Sequence, residues 1–222
     1  MVYITLVPAH MLVKPEFRAK LTRVFKTPDF RHRAVMDLFP EFEGEQNPRA
    51  AASILFRLET LPGLAPRFVV QSDISPAVDK LPKGVEPLGY TFPELGEGTP
   101  VSFRLAVNPV IRHSQGKDGQ PARTTTVAPF GKEPAESAAS LETWLSQKLS
   151  PGLAEVNIIN AQREIIGDGY PNQDISKIKR IVIDLVDGVA CVGDAKTLNK
   201  MLRSGVGRAK SYGCGLLSVK QL

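Results

Sequence analysis

The sequence contains few of the residues that bind metals. Among 222 residues there are two cysteines and three histidines. Cys191 and Cys214 lie far apart, neither belongs to a zinc-type or redox-type spacing, and the histidines are scattered. We therefore predict no metal site and no cofactor, and the low cysteine content agrees with a cytosolic protein.

Long apolar segments are also missing. No apolar run approaches the roughly 20 residues that a membrane-spanning helix needs. The N-terminus, Met1 to Pro8, lacks the charged region and the small-residue cleavage site of a signal peptide, and its pattern predicts a first strand. We expect a cytoplasmic protein with no membrane contact.

Basic residues outnumber acidic residues and are unevenly distributed. The chain has 28 Lys and Arg against 23 Asp and Glu, and its formal net charge is +5. From Ala195 onwards there is no acidic residue, but there are Lys196, Lys200, Arg203, Arg208, Lys210 and Lys220. A second basic stretch runs from Arg112 to Lys132, opposed only by Asp118. Clustered cations favour a polyanion partner because each phosphate contact releases counterions, although two solvated loops would have the same composition.

Alternating and helical patterns divide the chain into two similar halves. The first half predicts strand, helix, strand, strand, helix and strand at residues 2–7, 31–39, 53–58, 67–71, 75–80 and 88–91. In the second of these strands Ile54, Phe56 and Leu58 alternate with Leu55 and Arg57, which is typical of a half-buried strand. The predicted order is β-α-β-β-α-β.

The second half repeats this order at residues 103–107, 134–149, 156–166, 181–187, 194–205 and 215–219. Asp187 and Gly188 predict a tight hairpin turn, because Asp-Gly accepts the positive φ angles of such turns. Asp194 predicts a helix N-cap and Gly205 the end of that helix. Two such units predict the α+β class and a tandem ferredoxin-like (RRM-like) fold. The predicted parts are an N-terminal domain at 1–91, a linker at 93–100 and a C-terminal domain at 101–222.

Glycines surround a basic segment near the end of the chain, from Gly205 to Leu217 (GVGRAKSYGCGLL). A dinucleotide loop or P-loop follows a strand and opens a helix. Here a helix precedes the loop and a strand follows it, so these nucleotide-binding loops are excluded. The pattern predicts a loop whose N–H groups and cations, Arg208 and Lys210, follow a phosphate backbone. A helix cap followed by a bulged strand is the alternative, and it leaves the two cations unexplained.

This tail resembles the C-terminal signature of the CRISPR-associated repeat-processing endoribonucleases of type I-E Cascade, the CasE family. Three further segments match that family. Val186–Asp194 (VDGVACVGD) is similar to its hairpin before the last helix, and Phe103–Pro109 (FRLAVNP) to one of its strands. His32–Pro40 (HRAVMDLFP) is similar to its first helix, which carries a histidine. The matches extend over nearly the whole chain.

The resemblance implies metal-independent cleavage of the CRISPR repeat RNA beside its stem-loop. In such a reaction the ribose 2′-OH attacks the adjacent phosphorus, and the products carry a 2′,3′-cyclic phosphate and a 5′-hydroxyl. His32 lies at the position of the family's histidine and is implied to be a general acid with a possible base role. Asp29 stands where some members have tyrosine, and either orients the imidazole or, as we expect, caps the helix. Ser211 and Tyr212 are candidates for assisting the 2′-OH.

The resemblance also implies that basic segments hold the RNA stem. The candidates for RNA contact are Gly207, Arg208, Lys210, Ser211, Gly213, Arg112, Lys117, Arg123 and Arg203. The major groove of A-form RNA is too narrow for side chains to read most bases, so recognition should depend on shape and phosphates, with a few contacts to base edges. The expected partners are the CRISPR repeat stem-loop and other Cascade subunits, with no DNA-specific site.

Two other functions stay open on sequence grounds. A non-catalytic RNA-binding subunit of a ribonucleoprotein complex would share the fold, although the sequence has no paired-aromatic RNP motif and only 7% aromatic residues. A metabolic ferredoxin-like enzyme would need a cofactor or metal motif, which the sequence lacks.

Overall fold

The computed structural model describes residues 1–60, 63–113, 123–134, 139–167 and 180–222, with only the main chain at residues 17, 18, 21, 22 and 123. This part of the chain contains two four-stranded antiparallel sheets with helices packed against them. None of its helices is long and apolar enough to cross a membrane.

The first sheet is formed by the N-terminal half. The elements of this half are β1 Val2–Pro8, α1 Leu21–Phe25, α2 Pro28–Met36, α3 Pro48–Ala51, β2 Leu55–Glu59, β3 Arg67–Ser72 and β4 Leu88–Tyr90. The strand order is β2-β3-β1-β4, and β3 is antiparallel to both of its neighbours. This is the arrangement of a β-α-β-β-α-β unit, except that the predicted second helix is reduced to a 3-10 turn at Val78–Lys80.

The second sheet is formed by the C-terminal half. Its elements are β5 Pro100–Val107, β6 Val110–His113, β7 Arg123–Thr126, α4 Leu141–Leu149, β8 Leu153–Ile166, β9 Ile181–Val192, α5 Ala195–Ser204 and β10 Leu217–Gln221. The strand order β10-β5-β9-β8 repeats that of the first sheet, while β6 and β7 form a separate ribbon. The predicted α+β class with two β-α-β-β-α-β units is confirmed. The limits of the two domains stay a prediction.

Strand β2 is buried on both faces, so the prediction of a half-buried strand is wrong. Phe56 packs in the N-terminal core with Phe68. On the opposite face Leu55 packs with Val69 and with Leu216 from the C-terminal half. The alternation of residue types marks the two faces correctly, but it cannot show that a distant part of the chain covers the second one.

Strand β9 continues through Asp187 and Gly188, so the predicted hairpin turn is wrong. Asp187 accepts two hydrogen bonds, of 2.6 and 3.1 Å, from Arg104 on the neighbouring strand. A Cβ atom at Gly188 would lie 2.5 Å from the carbonyl oxygen of Asn157 and from the ring of Phe103. Glycine is therefore required for the close approach of its neighbours and not for a turn.

The last two helices show how caps define their limits. Helix α4 begins at Leu141, later than predicted, because Ser140 is its N-cap and accepts a hydrogen bond from a main-chain N–H of the first turn. Helix α5 begins and ends as predicted. The Asp194 side chain accepts a 2.6 Å hydrogen bond from the N–H of Thr197, and Gly205 ends the helix with a φ of 72°.

Candidate active site

His32 lies in the middle of α2 and is half-buried. The helix begins at Pro28, whose fixed φ suits the first helical position, and Thr27 is the N-cap. Asp29 lies in the first turn, so its predicted role as the cap is wrong. The Nδ1 atom of His32 is buried and has no hydrogen-bond partner among the described residues.

The residue before the histidine fixes the helix to the second sheet. The side chain of Arg31 is only 2% exposed, and its Nε donates a 2.6 Å hydrogen bond to the carbonyl of Phe25. Its two terminal nitrogens donate to both carboxylate oxygens of Glu164 on β8, at 2.8 and 2.9 Å. Because a bidentate pair fixes orientation as well as distance, Arg31 determines how His32 faces the C-terminal half.

The glycine-rich tail, residues 205–217, packs against this helix. Its 3-10 turn Lys210–Tyr212 contacts α2, which brings together the two elements that the sequence singled out. The N–H of Val206 donates to the carbonyl of Gly215 at 2.9 Å. A Cβ atom at Gly205 would lie 2.8 Å from that same carbonyl oxygen. These two glycines therefore allow the tail to close on itself.

The predicted contact residues of the tail differ in exposure. Gly207 and Arg208 are exposed, and a Cβ atom at Gly207 would meet nothing within 4 Å. Ser211 is half-buried. Gly213 is buried, and a Cβ atom there would lie 3.2 Å from the ring of Phe56. Packing thus accounts for Gly213, whereas the exposed pair remains open to a ligand.

Lys210 folds back over the tail. Its Nζ donates a 2.7 Å hydrogen bond to the carbonyl of Ser204, at the negative end of the α5 dipole. A Cβ atom at Gly215 would lie 3.0 Å from the Cγ of this lysine, so glycine makes room for the side chain. Burial, and then the charge of Arg49, lower the pKa of Lys210.

Arg49 is a candidate site residue that the sequence did not predict. It lies on α3, is half-buried, and its Nη1 donates a 3.1 Å hydrogen bond to the carbonyl of Ile54. Its positive charge lowers the pKa of both His32 and Lys210, so the three groups share one electrostatic environment. In the sequence Arg49 lies in a short polar segment between two predicted elements, and nothing in that segment indicates a functional residue. Arg49 comes close to His32 and Lys210 only in the folded chain.

The imidazole of His32 has a pKa below its ordinary value of 6.5. Burial is the largest cause, the charges of Arg49 and Arg33 lower the pKa further, and Asp29 partly opposes them. Burial and nearby positive charge both disfavour the imidazolium form. His32 is therefore neutral at neutral pH, and a neutral imidazole can accept a proton.

The remaining predicted residues are placed as follows. The guanidinium of Arg203 lies 5.7 Å above the ring of Phe92, and Arg112 is exposed on β6. Lys117 lies outside the described residues, as does the side chain of Arg123, whose main chain belongs to β7. The structure thus brings the tail to His32, and it assigns Arg203 an aromatic partner.

The arrangement suits phosphate chemistry. A neutral imidazole can take a proton, and neighbouring cations can stabilise negative charge that develops on phosphate oxygens. In the part of the chain with assigned positions, no group of three or more His, Cys, Asp or Glu side chains could hold a metal ion.

The chain is similar in sequence to proteins of one known family. Residues 6–221 match the sequence profile of the family described as "CRISPR associated protein". The Cascade subunit CasE of Escherichia coli K12 is 30% identical over 200 residues, which are 86% of this chain and 90% of that protein. The CRISPR-associated endoribonuclease Cse3 of Thermus thermophilus is 31% identical over 181 residues, or 75% of this chain and 79% of that protein.

One solved structure extends the likeness to the fold. It shows Thermus thermophilus Cse3 bound to an RNA that represents a pre-cleavage complex. The TM-score is 0.65 at 24% identity, and the match covers 99% of this chain and 98% of that one. The likeness agrees with the tandem ferredoxin-like fold.

Proposed function

This chain belongs to the family of CRISPR-associated proteins, and from that membership we propose that it is a repeat-processing endoribonuclease of the CasE type. It cleaves CRISPR precursor RNA within the repeat, beside the stem-loop. It then stays bound to the mature guide RNA together with other Cascade subunits, and it works in the cytoplasm. The observation that carries the proposal is the position of His32, on the helix that contacts the basic tail and close enough to Arg49 for that charge to lower the pKa of its imidazole.

In the proposed reaction the neutral imidazole of His32 accepts the proton of the ribose 2′-OH. The 2′-oxygen forms a bond to phosphorus while the bond from phosphorus to the 5′-oxygen breaks, and the leaving oxygen takes a proton from water. The imidazolium then gives its proton to the hydroxide that remains, which restores the neutral His32. The products are a 2′,3′-cyclic phosphate and a 5′-hydroxyl, and no metal is required. The sequence favoured a general acid with a possible base role, and the lowered pKa of His32 favours the base.

Arg49 and Lys210 supply positive charge to the reacting phosphate. Negative charge increases on the non-bridging oxygens as the five-coordinate phosphorus forms, and cations that are already in place stabilise it. Both side chains are held by main-chain carbonyl groups, so they need little reorganisation. The charge of Arg49 lowers the pKa of both His32 and Lys210, which supports its position within one site with them.

The proposed RNA-contact surface centres on the exposed part of the tail. Gly207 and Arg208 follow the phosphate backbone, with the half-buried Ser211 beside them. Arg112 extends the surface along β6. Because of the family resemblance, we also propose that Lys117, Arg123 and Arg203 contact the RNA. Because these contacts are to phosphates, affinity should fall steeply as salt increases.

The test is cleavage of a labelled repeat hairpin in the presence of EDTA. We expect one cut beside the stem, and mass spectrometry of the fragments should find a 2′,3′-cyclic phosphate and a 5′-hydroxyl. Tight binding without cleavage would favour the alternative, a non-catalytic RNA-binding subunit. Cleavage that needs a divalent metal, or that leaves a 3′-hydroxyl, would overturn the proposed mechanism.

A further inference from the structure

A cleft of about 560 Å³ lies between the segment 12–24 and α2. This segment is an insertion between the first strand and the first long helix, and it is not part of the common β-α-β-β-α-β unit. The volume falls within the range of roughly 300–1,000 Å³ that is usual for small-ligand sites. Of the predicted RNA-contact residues whose side chains the structure describes, none lines the cleft.

The cleft combines apolar and cationic surfaces. Apolar side chains, including Val13, Val24 and Phe30, form one part of its wall, and Phe30 is the aromatic residue among the described side chains that line it. Among the side chains that the structure describes here, Asp37 is the one carboxylate, and four cations line the rest of the wall: Lys14, Lys20, Arg23 and Arg33. A ligand that suits both parts must have an apolar, planar portion and negative charge.

The cleft and the proposed active site open on adjacent faces of one helix. Phe30, Arg33 and Ala34 are spaced i, i+3 and i+4 and lie on the side of α2 that faces the cleft. His32 directly precedes Arg33, which places the two side chains roughly 100° apart around the helix. Because an α-helix is about 10 Å wide, a single RNA strand that crosses α2 would be long enough to extend from His32 to the cleft.

We propose that this cleft binds an unpaired nucleotide of the RNA next to the scissile phosphate. The proposal rests on the function proposed above. Bases inside a stem are paired and stacked, and a stem offers mainly phosphates and riboses to a protein. An unpaired base can instead stack on Phe30, while its phosphates meet Lys14, Lys20 and Arg33. Held in this way, the single strand beside the stem fixes which phosphate lies at His32.

The test compares two RNAs, the repeat hairpin with its single-stranded flanks and the same hairpin trimmed to the stem. Both are bound to protein that carries His32→Ala, so that no cleavage occurs. We expect the double variant Lys14→Gln and Lys20→Gln to bind the flanked RNA at least tenfold more weakly. Its affinity for the trimmed stem should change less than twofold. The matched control is Lys83→Gln with Lys220→Gln, which removes the same charge from exposed sites outside the cleft.

A second variant separates stacking from charge. Phe30 also contacts the ring of Phe25, with centroids 5.9 Å apart, so Phe30→Leu is chosen to keep apolar volume and remove the aromatic face. We expect about a fivefold or greater loss of affinity for the flanked RNA, as is usual when one stacking partner is lost. Unchanged thermal unfolding of this variant confirms that its fold is intact.

Other outcomes would overturn the proposal. If the cleft variants lose affinity equally for both RNAs, or for neither, the cleft does not hold an unpaired nucleotide. If they bind RNA normally but no longer bind another Cascade subunit, the cleft is a protein-docking site. In each case, cleavage of the hairpin by the unaltered protein would leave the proposed endoribonuclease function standing.

Discussion

Two regions of the molecule concentrate arginine and lysine, and they satisfy these charges in opposite ways. Where the two halves meet, the buried Arg57 pairs with the buried carboxylate of Glu59 at 2.8 Å. Around His32, Arg49 and Lys210 donate to main-chain carbonyl oxygens and form no ion pair with any residue that the structure describes. In the first region each arginine of the network is paired with a carboxylate, whereas, within the described part of the chain, Arg49 and Lys210 in the second region are not.

The difference indicates what each region does. Glu59 also accepts hydrogen bonds from Arg67 and lies 3.6 Å from Arg104, while Arg57 reaches the carbonyl of Leu216 on the other half. A closed network of this kind holds two surfaces in register. Cations without a carboxylate leave positive charge available, and a phosphate chain is the partner that can neutralise it.

Removing the histidine should have the largest effect, because it deletes the proposed proton acceptor from the second region. We expect His32→Ala to reduce the single-turnover cleavage rate by about 10²–10⁴-fold. Hairpin affinity should change less than twofold, since the cations remain. His10→Ala is the control, because His10 is exposed and lies outside the site. A His32→Ala protein with full activity would remove this residue from the mechanism.

Removing the shared carboxylate of the first region should reduce the stability of the protein and leave catalysis unaffected. Glu59→Ala leaves Arg57 buried without its carboxylate, and breaking such a pair costs about 3–5 kcal/mol. Urea denaturation measures the loss. Glu86→Ala, at an exposed glutamate, is the control and should stay within about 0.5 kcal/mol of the parent. Equal stability of the two variants would mean that the network does not join the halves.

Replacing Arg49 should weaken catalysis without unfolding the protein. Arg49→Met removes one preorganised charge next to the reacting phosphate, and we expect a loss of about 10²-fold in the cleavage rate. Lys196→Met removes a charge from an exposed position on α5 and should change the rate less than twofold. Similar rates for both variants would show that Arg49 is not part of the site.

The sequence was more informative about single elements than about their neighbours. His32, the tail and the two α+β units could be found because local patterns and a family resemblance mark them. Arg49 could not, since only folding places its short helix near His32. Gly188 was misread because Asp-Gly favours turns in isolation, whereas its surroundings require a residue without a Cβ atom.

The smallest expected effect is on the salt dependence of RNA binding, which should distinguish a cation of the exposed tail from a cation elsewhere on the surface. Arg208→Gln should remove one phosphate contact, so the slope of log affinity against log salt should become less steep by about one. Lys220→Gln removes an exposed charge near the end of the chain and should leave that slope unchanged. Titrations of the hairpin at several salt concentrations give both slopes. Identical slopes for the two variants would exclude Arg208 from the contact surface.

The most direct test of the central claim, that Arg49 and the neutral His32 form one catalytic site, is the pH dependence of kcat/KM, measured under single-turnover conditions with the protein in excess over the RNA. This profile reports the pKa of the free enzyme. For the unaltered protein we expect the rate to fall as pH decreases, with a midpoint below 6.5, because burial and Arg49 lower the pKa of His32. In Arg49→Met the midpoint should move upward. A midpoint at or above 6.5, or one that does not move in Arg49→Met, would contradict the claim.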